Sequence, residues 1–164
     1  MKKWMMLMLA VCMLCMAICA AAESAVLTVD LPDDALLTEN VEFEDGDRIQ
    51  TYQLDNGVRV QFLRYAAFDM TLEELAEGEW IGYTASEAMA IEEIGGYPAQ
   101  GLCLNFGEGE EQVNVYTIMT DVQGAKLIFQ AVFPASLGEK QIEESMDAWV
   151  ESMEIQSEAG TDVG

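Results

Sequence analysis

Two extended runs joined by a three-residue connection constrain this chain more than anything else in it: Gln112 to Asp121 and Ala125 to Phe133, on either side of Val122-Gln123-Gly124. Both are rich in Val, Ile, Thr, Tyr and Phe, the side chains that suit a pleated surface, and so short a connection permits only antiparallel pairing. Apolar residues fall on both faces of each run, which predicts central places in the sheet.

Upstream, Val41 to Phe43 alternates, Glu44-Asp45-Gly46-Asp47 turns, and Arg48 to Leu54 extends again. Asn56-Gly57 then predicts a hairpin, because both central positions of a tight turn accept positive φ there. Val58, Val60 and Phe62 alternate with Arg59, Gln61 and Leu63, the pattern of a half-buried strand. Met89 to Ile94 alternates weakly, Gly95-Gly96-Tyr97-Pro98 interrupts, and Ala99 to Phe106 extends once more. Gly107 to Glu111 reads as a charged, glycine-rich turn.

Helices are expected at two places. Thr71-Leu72-Glu73-Glu74 matches a capping box, in which hydroxyl and carboxylate reciprocally satisfy orphan amides, and predicts a short helix from about Leu72 to Glu79. After Pro134, Ser136 is the expected cap of a longer amphipathic helix carrying Ile142, Met146, Trp149, Val150 and Met153 on one face. The fold class is therefore α+β, an antiparallel sheet packed by a short N-terminal helix and a longer C-terminal amphipathic helix. The expected division is a signal over 1–22, a linker or loosely attached strand over 23–40, one domain over 41–155 and a disordered tail over 156–164.

The first segment is an address. Lys2 and Lys3 precede an uncharged run rich in Met, Leu, Ala and Cys, and Ala20-Ala21-Ala22 offers a small-residue cleavage site before Glu23. Ala20, Ala22 and Glu23 thus mark the expected processing point of a secreted or extracytoplasmic protein. An uncleaved membrane anchor is the competing reading, since the run approaches the roughly 20 residues that span a bilayer. A lipid anchor fits poorly, because Val11, Leu14 and Ile18 precede Cys12, Cys15 and Cys19 where a small residue is needed. Cleavage would leave Cys103 alone, and a domain of this size stands on its core without a disulfide.

The whole chain holds 30 acidic and 7 basic residues and no histidine. Such a field repels nucleic acid and anionic membrane surfaces, leaving basic proteins, divalent cations or plain solubility. The missing histidine removes the commonest general base and the commonest metal ligand. No run of acids has the spacing of a calcium loop, and no Gly-x-Ser-x-Gly or phosphate-cradling loop occurs, so no catalytic residue, cofactor or metal site is expected. Cys103 alternates with Leu102 and Leu104, and reads as a small buried hydrophobe unless exposure and a nearby cation activate its thiol. Trp80 and Tyr83 are the candidates for an aromatic contact surface, with core packing the alternative. Glu139, Glu143, Asp147 and Glu151 fall at successive i, i+4 positions and form a candidate acidic cation surface.

The order of these elements, with Ile94-Gly95-Gly96-Tyr97-Pro98-Ala99 leading into three strands, Phe133-Pro134, and a helix ending in Ser152-Met153-Glu154-Ile155, resembles the PsbP-like superfamily over roughly Val41 to Ile155. That group includes the extrinsic photosystem subunit, the Ran-binding nuclear import factor and the periplasmic lipoprotein DcrB. The resemblance implies an antiparallel sheet between helical layers and action by binding other proteins, with no shared catalytic motif to carry over. The expected function is an exported, non-enzymatic module that binds a protein or small ligand at the cell envelope. The alternative is a cation-responsive acidic accessory protein that takes calcium or docks a basic partner.

Overall fold

The computed structural model describes residues 25–66, 69, 71–77, 87–106 and 113–157. The central sheet is assembled from β2 (Leu36–Glu42), β3 (Arg48–Gln53), β4 (Arg59–Tyr65), β5 (Glu87–Met89), β7 (Tyr97–Phe106), β8 (Val113–Val122) and β9 (Ala125–Pro134), in the order β2-β3-β4-β9-β8-β7-β5, with β6 (Glu93–Ile94) paired to β7. All of its pairings are antiparallel. The fold is α+β, and the two strongest strand runs do lie at its middle. β1 (Ala25–Thr28) and β10 (Glu154–Ser157) form a separate two-stranded ribbon. The helices are α1 (Leu72–Glu77) and α2 (Glu139–Ser152).

The turns follow local chemistry. Between β8 and β9, Gln123 and Gly124 both adopt positive φ, at 54° and 97°, and the Asp121 carboxylate accepts the Gly124 amide at 2.9 Å. This is the twist-matched geometry a two-residue connection requires. The Asn56-Gly57 hairpin differs from expectation, since only Gly57 has positive φ. Asn56 instead accepts the Val58 amide on its side-chain oxygen at 3.1 Å, so it turns the chain through its side chain. The capping box of α1 forms as the sequence predicts: Glu74 N donates to Thr71 Oγ1 at 3.1 Å and Thr71 N to Glu74 Oε2 at 2.8 Å. Those bonds hold the Glu74 carboxyl below its usual value.

The start of α2 corrects the sequence reading. Gly138, not Ser136, is the cap residue, and its amide donates to Gln141 Oε1 at 3.4 Å. Ser136 is spent in the turn closed by the Leu137 amide on the Pro134 carbonyl at 3.0 Å, so helical geometry begins two residues later.

One sheet face carries the main core. Val60, Phe62, Phe129, Ala131, Phe133 and Ile118 meet Ile142, Met146 and Trp149 of α2 and Ala25 and Leu27 of β1. Edge-to-face contacts run from Tyr52 through Phe62 to Phe129 and on to Trp149, which stacks on Phe133. The opposite face holds a smaller cluster of Leu102, Met119 and Ile128, flanked by Leu63, Tyr65 and Leu72 of α1.

The stretch 23–40, expected as a linker or loosely attached strand, contributes two strands among its described residues. In β1, Ala25 and Leu27 are buried, and the strand pairs with β10 from Ala25↔Ser157 to Thr28↔Glu154. β10 places Gln156 and Ser157 in a strand, whereas the sequence put them in a disordered tail. β2 begins at Leu36 rather than near Val41, because a bulge between Leu37 and Glu39 breaks the period-two pattern that would have revealed it.

Candidate functional site

The surface feature with the clearest chemistry is the sheet edge formed by β2. Every residue of this strand is exposed, and among the described residues the large exposed apolar side chains are Leu36 at 66%, Leu37 at 44%, Val41 at 37% and, just beyond the strand, Phe43 at 48%. No described strand pairs with its outer side. An unpaired strand edge presents backbone donors and acceptors ready for another chain, and natural proteins usually blunt it with lysine, proline or a cover. Here the charged residues on and beside the strand are Glu39, Glu42, Glu44 and Asp45. The edge is apolar and acidic together.

Behind that edge lies a hydrogen-bonded row that only strand register reveals. Glu39, Thr51, Gln61, Gln130 and Thr117 stand opposite one another across β2, β3, β4, β9 and β8. Thr51 Oγ1 donates to Glu39 Oε2 at 3.0 Å and accepts from Gln61 Nε2 at 3.1 Å, while Gln130 Nε2 donates to Thr117 Oγ1 at 3.3 Å. Thr51 and Thr117 are buried, so these bonds meet the cost of placing hydroxyls in the sheet. The row fixes the Glu39 carboxylate at the strand edge from behind.

On the main-core face, an open groove of about 520 Å³ runs between the segment 30–32, the tip of the β3-β4 hairpin and α2. Leu31, Leu54 and Trp149 form its floor, and Asp30, Gln141 and Glu144 supply polar groups. Glu144 is already paired with Lys140 at 3.1 Å. Neither these carboxylates nor any others among the described residues gather into a group of three metal-ligating side chains.

The acidic stripe of Glu139, Glu143, Asp147 and Glu151 is exposed along α2, one residue per turn. Cys103 is half-buried opposite Tyr116. Burial and a hydrogen bond with Cys103 push the Tyr116 hydroxyl up to about 12, with Glu139 and Glu143 adding to the shift. The carboxylates acting on the Tyr116 hydroxyl, Glu139 and Glu143, belong to the first turns of α2. Trp80, Tyr83 and the processing residues Ala20, Ala22 and Glu23 lie outside the described residues. Lys126, buried in β9, bonds Asp121. Burial raises the Asp121 carboxyl, but hydrogen bonds from Lys126 and the Gly124 amide, with the lysine charge, outweigh it and leave the group below its usual value.

Sequence reasoning missed the β2 edge and the polar row. The signal for the edge was present in Leu36-Leu37 and Val41-Glu42-Phe43, but exposure of those residues depends on strand order. No protein-family model and no curated protein sequence matches the chain. Among solved structures, the crystal structure of LpqN, involved in cell envelope biogenesis of Mycobacterium tuberculosis, is similar at 15% identity with a TM-score of 0.49, over 81% of this chain and 84% of that one. A likeness at that level carries no argument about function. Among the described residues, no helix is long and apolar enough to cross a membrane.

Proposed function

We propose that this protein is an exported, non-enzymatic binding module that docks an extended, positively charged segment of another protein along β2. The single observation that carries the reading is the concentration of Leu36, Leu37, Val41 and Phe43 on one unpaired, acid-flanked strand edge. Strand addition would satisfy the outward backbone groups, and alternate side chains of the incoming strand would meet the apolar residues. Basic residues on that strand would meet Glu39 and Glu42. A second copy is a poor occupant, since edge-to-edge pairing would bring acidic strands together in a chain of net charge -23. The leader-like Met1 to Ala22 supports an extracytoplasmic location, and the PsbP-like resemblance agrees with a role in protein binding.

The test places a photoreactive residue at Leu36 or Val41 in producing cells, with Glu143 on the acidic stripe as control. The reading expects a discrete adduct with another protein from the β2 positions and none from Glu143. An adduct of twice the chain's own mass, or equal labelling from all three positions, contradicts it.

A further inference from the structure

The groove of about 520 Å³ beside α2 has the size of a small-molecule site, and its two carboxylates belong to separated places along one helix. Asp30 lies in the segment that follows β1, and its amide donates to Ser152 Oγ at 3.1 Å. The Ser152 hydroxyl in turn donates to the Trp149 carbonyl at 3.1 Å, so the Asp30 backbone is tied to the last turn of α2. Glu144 lies eight residues back along the same helix, a rise of roughly 12 Å. Ala148 and Trp149 line the stretch of helix between, with Leu31 and Leu54 supplied by the chain on the other side of the groove.

Both carboxylates have acceptor capacity to spare. The Asp30 side chain makes no hydrogen bond or ion pair among the described residues. Glu144 meets Lys140 through Oε1, with the two side chains 66% and 86% exposed, so that pair is weak and leaves Oε2 for another donor. Among the described residues no basic side chain lines the groove. Two acceptors of one sign, set apart by an apolar strip, match a ligand with a cation at each end and methylenes between. A single metal ion is too compact to reach both, and a monoamine leaves one carboxylate unmatched.

We propose that this groove binds a linear aliphatic diamine or polyamine, with one ammonium on Asp30, another on Glu144 and the methylene chain over Leu31 and Trp149. The site is separate from the β2 edge and does not depend on it.

Isothermal titration calorimetry on the full chain at constant ionic strength tests this, with 1,8-diaminooctane, 1,4-diaminobutane and octylamine as probes. The eight-carbon diamine should bind saturably and more tightly than either of the others, because the short diamine cannot reach both carboxylates and the monoamine matches only one. Asp30→Asn and Glu144→Gln should each weaken its binding by about two- to fivefold, the worth of one exposed ion pair. Glu143→Gln removes the same charge from outside the groove and should leave the affinity unchanged. All three positions are exposed, so the variants should fold. Absence of saturable binding, equal affinity for the long and short diamines, octylamine as tight as the long diamine, or an equal loss in Glu143→Gln overturns the proposal.

Discussion

Trp149 stacks on Phe133 with ring centroids 5.8 Å apart and planes inclined by 24°, and this contact joins the terminal helix to the central strand β9. Trp149 is 3% exposed and also meets Phe129 edge-to-face. Trp149→Ala should therefore cost about 3–5 kcal/mol, the range for removing a large aromatic side chain from a packed interior. Denaturant unfolding measures it. A loss below about 1 kcal/mol would mean the site collapses freely or the helix seats elsewhere.

Gly101 makes a second packing prediction. It pairs with Met89 across β7 and β5, and a Cβ built on it would lie 2.7 Å from Met89 Cβ. Gly101→Ala should destabilise by about 1–3 kcal/mol through overpacking. Pairing it with Met89→Gly should recover part of that loss in a double-mutant cycle. Additive losses would show that the two positions do not press on each other.

Tyr116 carries the alkaline prediction. Its hydroxyl ionises near pH 10 in the unfolded chain but is pushed up to about 12 when folded, by burial first and then by Cys103. The neutral form is favoured by folding, so this contribution is complete below pH 10 and is lost as pH climbs toward 12. Tyr116→Phe should reduce the loss of stability over that window, and the native protein should gain the phenolate absorbance of Tyr116 only near pH 12, with Tyr65 also delayed by its burial and by Asp47. Ionisation of every tyrosine near pH 10 without unfolding would contradict the burial assigned here.

The exposed stripe of Glu139, Glu143, Asp147 and Glu151 predicts a response to salt. Each i, i+4 acidic pair costs a few tenths of a kcal/mol (about 0.2–0.5), and Lys140 is engaged by Glu144. Screening should raise the melting temperature as the Debye length falls to about 10 Å at 0.1 M. Sodium and calcium should act alike at matched ionic strength. A saturable calcium effect, lost in Glu143→Gln/Asp147→Asn, would instead favour the cation-responsive alternative.

What the sequence disclosed was what neighbours in the chain decide. The capping box of Thr71 and Glu74, the stripe from Ile142 to Met153 and the alternation of Val58, Val60 and Phe62 each depend on a few adjacent residues, and each is found in the structure. The features that depend on distant pairing were not legible. β1 meets β10 through Val26↔Gln156, and no local pattern announces a partner so far along the chain. Arg48 and Arg64 look like ordinary surface cations until their register sets them face to face. Leu36 and Leu37 look like core residues, and only strand order shows that they lie on an open edge.

The most direct test of the proposed docking mode is amide hydrogen exchange with the protein captured at Leu36 or Val41. In the free chain, the amides of β2 that point away from β3 should exchange rapidly. Binding should slow those outward amides specifically, leaving the exposed face of α2 unchanged. Protection that arises on α2 or in the groove beside Trp149, with the outward amides of β2 still exchanging freely, would contradict docking by strand addition.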